Sequence, residues 1–419
     1  MPEKIIDFHI HSRYSRACSA SLDLPHIAAA CEQKGIDVVV TGDFTHPAWF
    51  AHIKEELIEE RQGIYKLSDD SSRTRFILGT EVSCIYSDKD ATRRVHLLIL
   101  APNIKAVENI NMALEARGVN IRSDGRPIMG LSAKAVLQLV LDIDPKCMVV
   151  PAHAWTPWFA IFGSKSGYDS IEECFEELSP HIRAIETGLS SDPTMNHRLS
   201  KLDDIMLISN SDAHSLDKLG REANVMRLTD LYTYDEIIGV ISGKEKKKFL
   251  YTIEFYPEEG KYHFDGHAPC KVSLSPRETK ANKFLCPQCK KQVTVGVLHR
   301  VEDLADRTES EILPDRFVPH KYIVPLKEII ATVYGVGAQS KKVAREYDAL
   351  VKNIGTEFFI LLHADIDRIR AYATNPQIAE AIFQMRSGNI MVIPGYDGIF
   401  GIVSVRAGKL PVTAQSKLL

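Results

Sequence analysis

Seven short apolar runs, rich in β-branched residues and separated by segments with helical spacing, constrain this chain more than any other feature. They occupy residues 4–11, 37–43, 75–82, 95–100, 147–153, 182–186 and 205–212. Stretches between them, such as 24–35 and 132–142, repeat apolar residues at the spacing of one helix face. Strand–helix alternation predicts an α/β fold with parallel strands. Seven such strands suggest a (β/α)7-like barrel rather than an open sheet.

Nearly every run ends in an imidazole or a carboxylate. The first carries His9 and His11; the second ends in Asp43, with His46 three residues on; the third carries Glu81. The fifth ends in His153, the sixth carries Glu186, and the seventh leads to Asp212 and His214. The fourth, VHLLIL, is the exception, since His96 stands near its start. In parallel α/β barrels the carboxyl ends of the strands converge on one face, where chemistry is done. Residues some two hundred positions apart are therefore expected to meet. His9 and His11, two apart on an extended strand, project to one side and can bite one cation. Carboxylates such as Glu81 and Asp212 can bridge two cations and offset their repulsion. The mixed nitrogen and oxygen set suits Zn, Mn or Fe better than Mg or Ca.

Composition excludes several classes. The chain has 419 residues, 45% hydrophobic and 25% charged, long enough for two or three domains. No segment approaches the ~20 apolar residues of a membrane span, and MPEKIIDFHIH does not read as a secretory signal, so a cytoplasmic location and no membrane partner are expected. Eight cysteines are too few for a disulfide scaffold. Net charge is −4, but residues 1–243 carry 25 Lys+Arg against 35 Asp+Glu, and residues 244–419 carry 26 against 20. Polyanion binding should lean on the second half and on cations held by the first.

The composition shifts at the basic stretch Lys244–Lys248, which marks the expected end of a domain over 1–243. In the next region, expected as a small module over 244–310, His267-x2-Cys270 is followed after fifteen residues by Cys286-x2-Cys289. Two short-spaced pairs joined by a loop allow tetrahedral closure around one structural Zn. From about residue 326 the pattern turns helical and then ends as strand, turn, strand, giving a third expected region over 311–419.

The motifs DFHIHS, GTEV, HLLIL, PAH and SDAH, over residues 4 to about 220, resemble those of the PHP superfamily. The resemblance implies a distorted (β/α)7 barrel with a trinuclear site. His9, His11, Glu81 and Asp212 would surround one cation, and Glu81, His96 and His153 a second. His214 would take a third with Asp43 or His46, and Glu186 would stand behind the ligands. Two or three divalent ions, Zn, Mn or Mg, are implied there. The chain departs from the common PHP pattern at Gly42-Asp43-Phe44-Thr45-His46, and it has Ser15, Ala17 and Cys18 where another His is frequent.

With the finger and helical tail included, essentially the whole chain resembles the endonuclease Q family. The stretches that carry this are PAHAWTPWFAIFGSKSGYDS, IETGLSSDPTMNHRLS, SNSDAHSLDKLGREAN, YHFDGHAPC and CPQC. The resemblance implies a DNA repair endonuclease cutting 5′ to uracil, hypoxanthine, xanthine or an abasic site through metal-activated hydroxide. Damaged DNA is the expected partner; a replication or repair clamp would suit that role, and no motif singles one out. Trp155, Trp158 and Phe159, just after His153, are expected to form a pocket for an extruded base. Gly163-Ser164-Lys165-Ser166 is a candidate phosphate loop, and the turn from Tyr334 to Lys342 a candidate DNA-backbone contact. The rivals are a small-molecule phosphatase, which leaves the finger and tail without a role, and a non-catalytic DNA-binding scaffold.

Overall fold

A computed structural model describes residues 1–88 and 91–405. Lys89, Asp90 and 406–419, the end of the C-terminal region expected from 311 onward, lie outside the described residues. Strands β1 (Glu3–Asp7), β2 (Val38–Val40) and β3 (Arg75–Asp88) lie side by side and parallel. β4 (Ala91–Ala101) runs antiparallel to β3, and β5 (Met148–Pro151) antiparallel to β4. β6 (Ala184–Glu186) and β7 (Met206–Ile208) pair in parallel. The Ala154 N–H donates to the Glu186 carbonyl (2.9 Å), linking β5 to β6, and a bridge between Ile10 and Ala213 returns the wall to β1. The seven expected strands thus form a distorted barrel wall.

The expectation that all seven run parallel is corrected at β4. Only two residues separate the end of β3 from the start of β4. A parallel connection needs a crossover of a dozen residues or more, so a link this short forces antiparallel pairing. The reversal also removes the anomaly of His96: in a reversed strand the early residues lie at the same end as the late residues of its neighbours.

Local chemistry sets the outer helices. The helix Leu24–Lys34 starts at Asp23, whose side chain accepts from the His26 N–H (3.1 Å), and stops at Gly35 with φ 89°. Ser132 caps Ala133–Ile143 in the same way, accepting from Ala135 N–H at 3.1 Å.

The sheet does not stop at residue 243. β8 (Ala223–Arg227) pairs antiparallel with β1, β9 (Phe249–Glu254) with β8, and β10 (His320–Tyr322) joins β9 in parallel. Five helices follow between Leu326 and Arg386, then the hairpin Ile390–Ile393 with Ile402–Val405. One apolar core runs from Ile6 through these helices to Val405. The cysteine-rich module keeps its own small core of Val272, Leu274, Cys286 and Val293.

The register of β8 and β9 pairs Ala223 with Ile253, which sets Glu222 opposite Glu254, both fully buried. Burial pushes both carboxyls up, Glu254 to about 8 with help from the Asp192 charge, and Glu222 well above its ordinary value with help from the Glu254 charge. The folded chain therefore keeps protons that the unfolded chain has released above about pH 4.5. The stability this pair contributes is complete below that pH and falls as pH rises toward about 8. Between about pH 5 and about pH 8, the melting temperature of the wild type should fall relative to the Glu222→Gln/Glu254→Gln variant; parallel curves by calorimetry would refute this.

Candidate metal centre

Just beyond β1, Phe8 and Ile10 are buried in the core, so the alternating His9 and His11 face the barrel mouth. Their ring centroids are 5.3 Å apart. His9 Nδ1 lies 3.0 Å from Glu186 Oε1, and Glu186 is itself fixed by the His153 backbone N–H (2.7 Å) and Asn210 Nδ2 (2.8 Å). His11 Nδ1 lies 3.0 Å from Asp43 Oδ1. An imidazole that donates through Nδ1 to a carboxylate presents the Nε2 lone pair, the arrangement found behind metal-bound histidines. His9 Nε2 is buried without a hydrogen-bond partner, 3.5 Å from both Glu81 Oε2 and Asp212 Oδ1. His11 Nε2 lies 3.1 Å from Asp212 Oδ1 and 3.2 Å from Glu81 Oε2. The orphaned nitrogen and the converging carboxylates fit a divalent cation.

Glu81 also belongs to a second group. Its Oε1 is 2.6 Å from His96 Nδ1 and 3.1 Å from His153 Nε2, and those two nitrogens are 3.1 Å apart. The β3–β4 register, Glu81 opposite Leu98 and Ser83 opposite His96, puts Glu81 and His96 on one sheet face. Glu81 thus points one oxygen at each group, the geometry of a bridging carboxylate. The donor atoms of each group lie within 4.8 Å of one another.

Without a metal, the carboxylates and the imidazoles of His9 and His11 favour each other's charged forms. Burial disfavours the imidazolium of His9, but Glu186, Asp212 and Glu81 outweigh it and hold its pKa well above the usual value. For His11, Asp43 and Asp212 overcome burial in the same way. Burial opposes ionisation of Asp212, yet His9 and His11 hold its carboxyl well below the ordinary range. Burial dominates at His96 and lowers it to about 4. Cations entering this site would displace the imidazole protons.

The residues expected for a third cation, His214 with Asp43 or His46, belong to neither of these two groups. Asp43 is fully buried behind His11, accepting from the Ser12 N–H and hydroxyl (both 2.7 Å) and from the Ser15 hydroxyl (2.8 Å). It orients an imidazole. His46 stacks on Tyr14 at 4.4 Å. His214 lies against His11 with its ring tilted, centroids 4.6 Å apart, and its Nδ1 donates to the Asp212 carbonyl (2.9 Å). Among the described residues the barrel gathers two donor groups.

Three non-glycine residues here occupy the left-handed region: Asp43 (φ 44°), His153 (φ 30°) and Asp212 (φ 45°). Such strain persists where surrounding contacts over-determine it. Gly42 before Asp43 is required, since a Cβ there would stand 2.5 Å from the Ile10 carbonyl oxygen.

Arg126 escaped the sequence reading. Its Nη1 donates to Glu81 Oε2 at 3.0 Å. It lies on a connecting segment rather than at a strand end, and no spacing marks a lone arginine there.

The aromatic pocket expected after His153 is corrected. Trp155 is 1% exposed; its indole N–H donates to Asn196 Oδ1 (2.7 Å) and its ring packs on Phe162. It is a core residue with no face left for a base. Trp155→Ala should cost about 3–5 kcal/mol of stability and Trp155→Phe much less; DNA recognition lost at unchanged stability would contradict this. Trp158 is half-buried, edge-on to Tyr262 at 5.6 Å, and Phe159 lies 4.8 Å from His96. The phosphate-loop reading of 163–166 is also corrected. The N–H groups of Gly163 and Lys165 are spent on the Ala160 and Pro157 carbonyls, although the Lys165 side chain is exposed.

In the cysteine module, His267, Cys270, Cys286 and Cys289 offer one imidazole nitrogen and three sulfurs within 4.8 Å of one another. None of the three cysteines is in a disulfide. Cys286 starts a tight turn closed by Cys286 N–H to Lys291 O (2.7 Å) and Lys290 N–H to Cys286 O (2.9 Å). Asp265, also buried, accepts from Gly296 N–H (2.6 Å) and pairs with His299 Nδ1 (2.5 Å). Three soft sulfurs and one nitrogen suit tetrahedral Zn.

Residues 325–389 match the MJ0043 C-terminal domain family. Protein MJ0043 of Methanocaldococcus jannaschii is 31% identical over 262 residues, 62% of this chain; the match spans 32% of that longer protein. The crystal structure of the lesion-specific endonuclease PfuEndoQ from Pyrococcus furiosus is similar with TM-score 0.85 and 29% identity, covering 97% of this chain and 96% of that one. The crystal structure of endonuclease Q with a 27-mer duplex substrate, an abasic lesion at its active site, matches with TM-score 0.85 and 30% identity over 97% of each chain. With that match covering barrel, cysteine module and helical tail alike, this chain belongs to the endonuclease Q family.

Proposed function

We propose that this protein is a metal-dependent DNA endonuclease that hydrolyses the phosphodiester bond 5′ to deaminated bases (uracil, hypoxanthine, xanthine) and abasic sites. The observation that carries the reading is Glu81, which turns one carboxylate oxygen to each of two donor groups. His9, His11, Glu81 and Asp212 would hold one divalent cation, and Glu81, His96 and His153 a second. Bound as a pair, Zn, Mn or Mg ions supply an activated water and neutralise charge developing on phosphate oxygens. Glu186 and Asp43 keep His9 and His11 aimed at the cations. His267, Cys270, Cys286 and Cys289 would hold one structural Zn.

The relative solved with abasic-site DNA supports the substrate class. Phe159, 4.8 Å from His96, and half-buried Trp158 are the rings that would meet an extruded base. The exposed turn between the helices Leu326–Tyr334 and Lys341–Asn353, followed by Lys341 and Lys342, suits a backbone phosphate. The test is a metal-reconstituted digest of an end-labelled duplex holding one uracil or one abasic site. A single cut 5′ to the lesion, leaving 3′-hydroxyl and 5′-phosphate ends, is expected. Faster turnover of a free phosphate monoester than of damaged duplex would instead support a phosphatase.

A further inference from the structure

We propose that Arg126 stands in for a cation at Glu81 while the site is metal-free, and engages a phosphate oxygen of the substrate once metal is bound. The second half rests on the endonuclease reading; the first does not.

Glu81 is fully buried, and a buried carboxylate demands a counter-charge. Arg126 Nη1 supplies it at 3.0 Å from Oε2. That same oxygen lies 3.2 Å from His11 Nε2 and 3.5 Å from His9 Nε2, so the guanidinium reaches the edge of the first donor group. A divalent cation and a guanidinium on one oxygen repel each other, and the cation brings the larger charge. Metal binding therefore loosens the arginine's hold on Glu81.

The backbone around Arg126 is pinned, so the side chain is what can move. Asp124 accepts from Arg16 N–H (3.3 Å), and Gly125 N–H donates to the Tyr14 carbonyl (3.0 Å). The Gly125 carbonyl accepts from the Thr45 hydroxyl (3.2 Å), and the Pro127 carbonyl from Ser83 N–H (3.0 Å). Gly125 is pressed so closely onto the Asp43 carboxylate that a Cβ would lie 2.3 Å from Oδ2. This contact fixes the segment to the group that orients His11. Among the described residues, the bond to Glu81 is the one side-chain hydrogen bond Arg126 makes. The guanidinium offers five N–H donors in a planar fork, so the rest remain for an incoming anion. A fork beside a metal pair matches two oxygens of one phosphate.

The test uses Arg126→Met and Arg126→Lys in the full-length protein. Metal-stripped samples are titrated with Mn²⁺ alone by calorimetry and melted before and after loading. Arg126→Met should bind barrel Mn²⁺ about 10-fold tighter, because a competing positive charge is gone. Its metal-stripped form should melt below wild type and its loaded form beside it. On an abasic-site duplex, Arg126→Met should lose about 10²-fold in kcat/KM, and Arg126→Lys should recover part of that. Unchanged Mn²⁺ affinity with unchanged metal-free melting overturns the stand-in role. Tighter Mn²⁺ binding with undiminished kcat/KM overturns the phosphate role. If the methionine variant does not fold, parity of the lysine variant with wild type in duplex kcat/KM overturns the phosphate role, and unchanged Mn²⁺ affinity and metal-free melting in Arg126→Gln overturn the stand-in role. A wild type that never nicks damaged duplex sinks the endonuclease reading instead, and the Mn²⁺ titration still decides the stand-in.

Discussion

Glu81→Gln is expected to lower nicking of damaged duplex by on the order of 10³-fold or more, the scale for removing a group the reaction cannot proceed without. The amide keeps the side chain's shape and removes its charge. In the wild type, one carboxylate faces His11 through Oε2 and His96 through Oε1. No other residue belongs to both donor groups, so a single substitution weakens both at once. It also leaves Arg126, mostly buried, without its carboxylate. Emission spectroscopy should show the barrel ions lost on dialysis and about one Zn per chain kept, because the zinc module is built from other residues. Asp212→Asn touches only the first group and should retain more of the second ion. A Glu81→Gln protein that keeps its full metal complement and nicks at the wild-type rate would disprove the shared-carboxylate centre.

Cys286→Ser should unfold the zinc module and abolish productive DNA binding while the barrel stays folded. The module's own core is four residues, Val272, Leu274, Cys286 and Val293. So few apolar contacts cannot offset the chain entropy of about thirty residues. Structural Zn contributes about 10–16 kcal/mol in comparable small modules, so folding here is expected to depend on a bound metal. Cys286 is the fully buried cysteine of the set, both ligand and core residue. The expected readout is one Zn fewer per chain, rapid proteolysis between about residues 268 and 295, and barrel metal content unchanged. Cys174→Ser, a buried cysteine of the main core outside the donor groups, is the control that should keep all metals. A Cys286→Ser protein with wild-type zinc content and protease resistance would show that the four residues do not form a site.

Much of this molecule is legible before folding is considered. The seven strand cores were placed by their apolar runs, because a strand buried on both faces admits little else. The gathering of His267, Cys270, Cys286 and Cys289 follows from the spacing of their two pairs, since short pairs joined by a loop can close on a tetrahedral ion. His9, His11, Glu81, His96, His153 and Asp212 stood out because polar residues ending apolar runs are costly unless used. Orientation was less legible. The reversal of β4 depended on a two-residue link whose brevity shows only once both strand ends are known.

What only tertiary structure decided is the division of labour among neighbouring polar groups. Asp43 and Asp212 look alike in sequence, each closing an apolar run. One lies behind His11 under two serines, and the other faces the donor nitrogens. Trp155 sits two residues from His153 yet turns into the core, because Asn196, distant in sequence, accepts its N–H. Arg126 gained its place from a glycine pressed against Asp43. Composition and spacing determine which residue types a chain can bury and which ions they suit. The distance from one side chain to the next, and therefore its role as ligand, support or filler, is set by contacts between segments that share no local pattern.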